Sequence, residues 1–289
     1  MTDRNRKPFA GGAFLVWRRQ VVLWWIFAVN FILAFVAARP FASEISPLLN
    51  HSLRAQDLVH GFNPFEFFAL LQEAKGTSVA STASVYLMVI FFVFMLFVEG
   101  GLLTAYWLDR PLTRGEFFEA SGRFFWRFVR LLIMLLIVLI PVVIVYRVVL
   151  RASDAQRERI ANPMPGVWIE AIGLLLVLFL MEAVRLWFDM AQVQAVAGDE
   201  RAMRRALQWS LKTTWDNFSS LYWIYLRISI VAWLVMTLLF VVWVRLVRPE
   251  WVGVSFVITQ LMALAWLGTR LWQRASETLW YQRYLKNSG

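Results

Sequence analysis

The stretch SVYLMVIFFVFMLFVEGGLLTAYW, residues 84–107, decides the class of fold. About 20 apolar residues suffice for a helix to cross the hydrocarbon core of a bilayer. This stretch exceeds that length and holds a single charged residue, Glu99. Five further segments read the same way: Val21–Ala38, Leu131–Leu150, Val167–Phe188, Phe218–Val244 and Trp251–Trp272. The expectation is an all-α polytopic membrane bundle of six transmembrane helices, forming one integral membrane domain over 1–289.

Composition agrees. Of the 289 residues, 60% are apolar and 17% charged, with 16 Trp and 24 Phe. Soluble domains average about 45–50% apolar and about 25% charged, so one aqueous core cannot hide this much apolar surface. The net charge of +10 does not point to nucleic acid, because the basic residues lie between apolar runs rather than in a basic domain. Absence of Cys excludes disulfides, thiolate metal sites and a Cys nucleophile. Arg4, Arg6 and Lys7 before an apolar run resemble a signal peptide, but the run is too long for an h-region and no small-x-small site follows. It reads as a retained first helix.

Orientation follows from Lys and Arg, which accumulate on the cytoplasmic side. The N-terminus, residues 108–130, residues 185–217 and the C-terminus carry 19 of the 29 basic residues, and the opposite connections carry 9. Both termini are therefore expected in the cytoplasm of a bacterial inner membrane. On the other side, His60–Lys75 places Phe62, Phe65, Phe68 and Leu71 at helical spacing, as in a helix lying on the outer leaflet.

Each cytoplasmic segment that leads into an odd-numbered helix repeats one spacing. A small residue is followed five positions later by Trp: Gly12 and Trp17, Ser121 and Trp126, Ser210 and Trp215. The longest match sets EASGRFFWRF (119–128) against QWSLKTTWDNF (208–218), and Ser276 with Tyr281 is a fainter echo. One reading is three parallel elbow–helix–helix units, 8–107, 113–188 and 200–272, related by an axis along the membrane normal. The elbows, with 113–127 and 200–215 the clearest, would be short amphipathic helices on the inner surface, Arg outward and Phe or Trp inward. The other reading is chance alignment in a chain rich in Trp.

Charged groups inside a bilayer are expensive and need a named partner. Glu182 lies about 9 Å from the inner end of the fourth helix, Arg227 about 9–14 Å into the fifth, and Glu99 about 12 Å into the second, at 1.5 Å per residue. Glu182 and Arg227 can thus pair, with Arg185, Asp189 and Glu99 as alternative partners. Glu182, Arg185, Asp189 and Gln192 are spaced 3, 4 and 3 and share one helix face. With Glu99 and Arg270 they complete a candidate polar cluster of Glu99, Glu182, Arg185, Asp189, Arg227 and Arg270. It reads either as a gate, an ion or proton relay or a lipid-headgroup pocket, or as a structural ion-pair network that fixes helix order. Pro141 should kink the third helix, and Gly100–Gly101 should permit close helix approach. Only His51 and His60 could contribute imidazole, too few for a recognisable metal site.

No catalytic signature is present: no G-x-x-x-x-G-K-[ST], H-E-x-x-H, G-x-S-x-G or G-x-G-x-x-G. No catalytic residue, cofactor or metal is therefore expected. The stretch AGDERAMRRALQWSLKTTWDNFSSLYWIYL, residues 197–226, resembles a motif in a loose group of bacterial membrane proteins that includes the membrane domain of some glycerophosphodiester phosphodiesterases. The matching positions are Asp199 or Glu200, Ala206, Leu207, Ser210, and Trp215 or Phe218. The resemblance implies a helical membrane bundle with a connection to lipid. It brings no hydrolytic residues, since no phosphodiesterase domain is present. The leading expectation is a non-catalytic accessory, scaffolding or lipid-associated membrane protein, with membrane lipids and a protein partner in a membrane complex. The alternative is a small secondary transporter or channel using the Glu/Arg cluster.

Overall fold

The computed structural model describes residues 8–50, 78–159, 164–248 and 251–288. Among them the chain is helical and contains no strand. Eight helices follow in order: α1 (Pro8–Arg18), α2 (Gln20–Asn50), α3 (Ser78–Leu108), α4 (Arg114–Arg159), α5 (Met164–Ala197), α6 (Met203–Asp216), α7 (Phe218–Leu246) and α8 (Val252–Ser288). Six of these, all but α1 and α6, are long and apolar enough to cross a membrane. The segment His60–Lys75, and both His51 and His60, lie outside the described residues.

The transmembrane helices run further than their apolar stretches. Within α5 the exposed large apolar residues extend from Met164 to Met181, whereas Leu186, Phe188, Met190, Val193 and Val196 are buried. The helix thus changes environment about halfway along, from lipid-facing to packed against protein. Buried shares of the six spans range from 6% for Gln20–Arg39 to 28% for Val85–Leu108. Surfaces so exposed and so apolar need hydrocarbon as their solvent.

Two compact units are distinguished. The first comprises Met1–Gly12, Glu99–Leu226 and Arg274–Gly289. Small residues bring its helices together. A Cβ added at Gly101 would lie 2.6 Å from Ser121 Oγ and 2.8 Å from the Phe117 carbonyl oxygen, and one at Gly100 would lie 2.9 Å from Phe124 Cβ. The Gly100–Gly101 pair therefore serves close approach of α3 to α4. Gly173 of α5 likewise faces Val149 of α4, and Ser153 Oγ donates to the Gly166 carbonyl at 2.9 Å. The second unit comprises Ala13–Val98 and Arg227–Gln273. There Phe31 and Phe256 meet edge to face at 6.1 Å, and Trp243 Nε1 donates to Ser255 Oγ at 3.2 Å.

The elbows differ from one another. Residues 203–216 form the separate short helix α6, with Met203, Ala206, Ser210, Thr213 and Thr214 buried along one face. Residues 113–127, expected as a similar short helix, instead form the opening of α4, which continues without a break to Arg159 and passes through Pro141. The local sequences explain the difference. After Trp215 comes Asp216-Asn217, and Asn217 leaves helical geometry with φ −121° and ψ 19°. After Trp126 comes Arg127-Phe128, which offers no breaker. The start of α4 is fixed by a capping box: Glu116 Oε2 accepts from the Thr113 amide at 2.8 Å, and Thr113 Oγ1 accepts from the Glu116 amide at 3.3 Å.

The repeated small residue and Trp keep their roles in space. Gly12, Ser121 and Ser210 are buried, whereas Trp17, Trp126 and Trp215 are 71%, 67% and 78% exposed. Five residues turn a helix by about 140°, at 3.6 residues per turn, so each elbow packs through its small residue and turns its Trp outward. Tyr281, in the fainter echo, is buried instead.

Candidate functional site

Most of the candidate polar residues meet in the first unit, around a residue absent from the expected set. Arg274 of α8 is buried at 3% exposure. Its guanidinium faces three carboxylates from three helices. Nε lies 2.5 Å from Glu99 Oε1 of α3, and Nη1 lies 2.8 Å from Asp189 Oδ1 of α5 and 3.1 Å from Glu277 Oε2 of α8. Nη2 donates to Gln192 Oε1 at 2.5 Å. The Glu99 contact is a close ion pair whose angle departs from that of a hydrogen bond. Arginine suits this position because its planar fork addresses several acceptors at once, which a lysine ammonium on a flexible stem does not.

Tyr225 of α7 closes the cluster. Its hydroxyl sits 2.9 Å from Asp189 Oδ2 and also contacts Glu277 Oε1. Arg185 stacks over the Tyr225 ring at 5.9 Å. It also pairs along its own helix with Glu182 at 3.3 Å and with Asp189 at 3.7 Å. The face formed by Glu182, Arg185, Asp189 and Gln192 therefore passes from a half-exposed end at Glu182 to a buried end at the Arg274 fork. Arg227, on an exposed position of α7, and half-buried Arg270 of α8 belong to the second unit.

Arg274, Glu277 and Tyr225 escaped the sequence reading for a physical reason. Arg274 and Glu277 follow the last apolar residue of the sixth segment and look like a solvated tail, but α8 continues through them to Ser288. A signal was nevertheless present. Glu99, Asp189 and Glu277 follow one another at intervals of 90 and 88 residues, close to the 89 that separate Ser121 from Ser210. Each even-numbered transmembrane helix thus supplies one acid at a matching place, and all three acids reach Arg274.

A second polar contact ties the α5–α6 turn to α4. Asp199 accepts from Arg127 Nη1 at 2.8 Å and pairs with Arg123, while Arg127 also donates to the Glu200 carbonyl at 3.2 Å. The Arg127 hydrogen bond, with help from Arg123, holds the Asp199 carboxyl below the usual carboxylate range. Among the described residues, no group of three or more His, Cys, Asp or Glu is arranged to hold a metal. The carboxylates of the cluster point at a guanidinium.

No family model, curated protein or solved structure matches this chain.

Proposed function

We propose that this chain is a non-catalytic integral membrane protein with an accessory or scaffolding role, in which Arg274 is a structural hub. The observation that carries this reading is that the three guanidinium nitrogens are buried and engaged by Glu99, Asp189, Glu277 and Gln192. A cation so enclosed is poorly placed to catch a passing solute, but it fixes the order of α3, α5 and α8. Lipid association accompanies the role. Outward Trp residues at the same step of three elbows suit the membrane–water interface, and the likeness of residues 197–226 to the phosphodiesterase membrane domain points the same way. The proposed setting is the cytoplasmic membrane of a bacterium, both termini inside, with membrane lipids and a protein partner as company.

Two experiments test this. The chain has no Cys, so a single Cys placed in 108–130 should react with an impermeant maleimide only after cells are opened; labelling of intact cells would reverse the topology. Purified protein in proteoliposomes should pass neither protons nor ions above the level of empty vesicles. Measurable flux would overturn the scaffold reading.

One observation favours a second reading, a proton-coupled transporter. The Tyr225 hydroxyl has one hydrogen but faces oxygens of two carboxylates. A buried phenol set between two carboxylates resembles the carboxyl sites of proton relays. The flux measurement separates the two readings.

A further inference from the structure

A cleft of about 430 Å³ opens where the C-terminal ends of α5 and α8 meet α6. This volume falls within the ~300–1,000 Å³ usual for small-molecule sites. Gly198 and Ala206 leave room on one side, and Trp209 and Leu285 supply an apolar side. Four polar side chains also line it, Tyr281, Gln194, Arg205 and Glu200. The Tyr281 side chain is 4% exposed, and its hydroxyl makes no hydrogen bond among the described residues. The side-chain amide of Gln194 and the guanidinium of exposed Arg205 likewise have no partner there. The hydroxyl is reached from the cleft, so a molecule bound there can supply the hydrogen bond that no described group makes.

The charge pattern narrows the choice. Arg205 invites an anion, and its planar fork matches two phosphate oxygens. Glu200 also lines the cleft, and its carboxylate is held by the Ala202 amide at 2.9 Å. A fixed negative charge beside the cation opposes a doubly charged phosphate monoester more than a singly charged diester. The indole of Trp209 and the phenol of Tyr281 suit an ester bearing apolar and hydroxyl groups. We infer that this cleft binds a phosphodiester of the phospholipid-headgroup kind, with its phosphate on Arg205 and its polar substituent on Tyr281 and Gln194. The cleft shares no residue with the Arg274 hub, so this inference stands apart from the scaffold reading.

The test uses the full chain in detergent, titrated calorimetrically with dihexanoylphosphatidylglycerol and then with inorganic phosphate as competitor. Two variants probe the cleft. Arg205→Gln removes the cation at an exposed position. Gly198→Leu fills the space, and its Cβ would meet only the Gln194 carbonyl oxygen, at 3.5 Å, so the fold tolerates it. The wild type should bind the lipid saturably. Both variants should keep the wild-type unfolding midpoint and bind roughly tenfold or more weakly, the scale expected when one charge-assisted hydrogen bond is lost. Phosphate should fail to displace the lipid at matching concentration, as expected of a site for a singly charged diester; displacement by phosphate at that concentration would overturn the diester assignment. No saturable binding of either probe, or equal binding in all three proteins, would overturn it.

Discussion

Asp109 and Asp199 adopt the same left-handed backbone conformation, with φ of 49° and 48°, and each follows by ten residues an acid that reaches Arg274. They are the only non-glycine residues with positive φ among those described, and Asp is one of the few types that tolerate this region. Glu99 with Asp109, and Asp189 with Asp199, thus mark one structural step made twice. The step combines an inward carboxylate, a last stretch of helix and a left-handed exit.

This geometry makes Arg274 the residue whose loss costs most. Arg274→Met should lower stability by about 3–5 kcal/mol, because it removes the buried cation that three carboxylates face. Arg274→Lys should recover only part of the loss, since an ammonium cannot reproduce the fork. Thermal unfolding in detergent reads both, and a Met variant as stable as wild type would show that Arg274 is no hub.

Tyr225→Phe keeps the ring and deletes the bridge between Asp189 and Glu277. A loss of about 1–3 kcal/mol is expected for leaving buried acceptors unsatisfied. The same unfolding measurement should show no further effect of Tyr225→Phe in a protein that already carries Asp189→Ala and Glu277→Ala if the bridge is the whole of its contribution. Such coupling is what a double-mutant comparison reports.

Two glycines give opposite forecasts. Gly101→Leu should separate α3 from α4, because even its Cβ would stand within 3 Å of Ser121 Oγ and of Phe117; a cost at or above the ~1–3 kcal/mol of overpacking is expected. Gly122 has nothing within 4 Å of its Cβ position and sits inside a helix, so Gly122→Ala should stabilise by roughly 0.5–1 kcal/mol. Paired unfolding midpoints check both signs.

Acid should loosen the α5–α6 turn. The folded Asp199 carboxyl titrates below its ordinary value, so its link to Arg127 contributes above the unfolded value of about 3.9 and is lost as pH falls through the lowered folded value. The pair is half-exposed, so the contribution is under about 1 kcal/mol. Asp199→Asn keeps a residue that accepts left-handed backbone and removes the charge. Proteolysis across 198–202 should rise toward low pH in the wild type and lose that dependence in the variant.

The six membrane spans were legible because apolar runs of such length suit hydrocarbon and little else. Their ends were not. The helical face of Glu182, Arg185, Asp189 and Gln192 was legible from its spacing, but Arg274 to Glu277 continue a helix past the lipid-facing part, where polarity alone suggests a loop and packing against neighbouring helices sustains the coil. Glu99, Arg185 and Asp189 could be chosen from sequence because an isolated charge near an apolar run is conspicuous. Arg274 could not, since one arginine among several basic residues of a tail has no local mark; only the spacing of its three acidic partners singles it out. The elbow spacing of small residue and Trp was legible, but it is the small residue and not the Trp that packs inward, and the presence or absence of a break depended on the one residue after each Trp step, Asn217 or Phe128.

That single difference has a mechanical consequence. At 1.5 Å per residue, the 46 residues of α4 form a rod of about 69 Å, more than twice the ~30 Å hydrocarbon core. Membrane helices answer a change in bilayer thickness by tilting. From Leu131 to Arg114 the rod extends about 25 Å, so a tilt of about 10° in the membrane part swings Arg114 by about 4 Å. The break at Asn217 spares α6 the corresponding motion of α7. One elbow is continuous with its membrane helix, and the other is jointed to it.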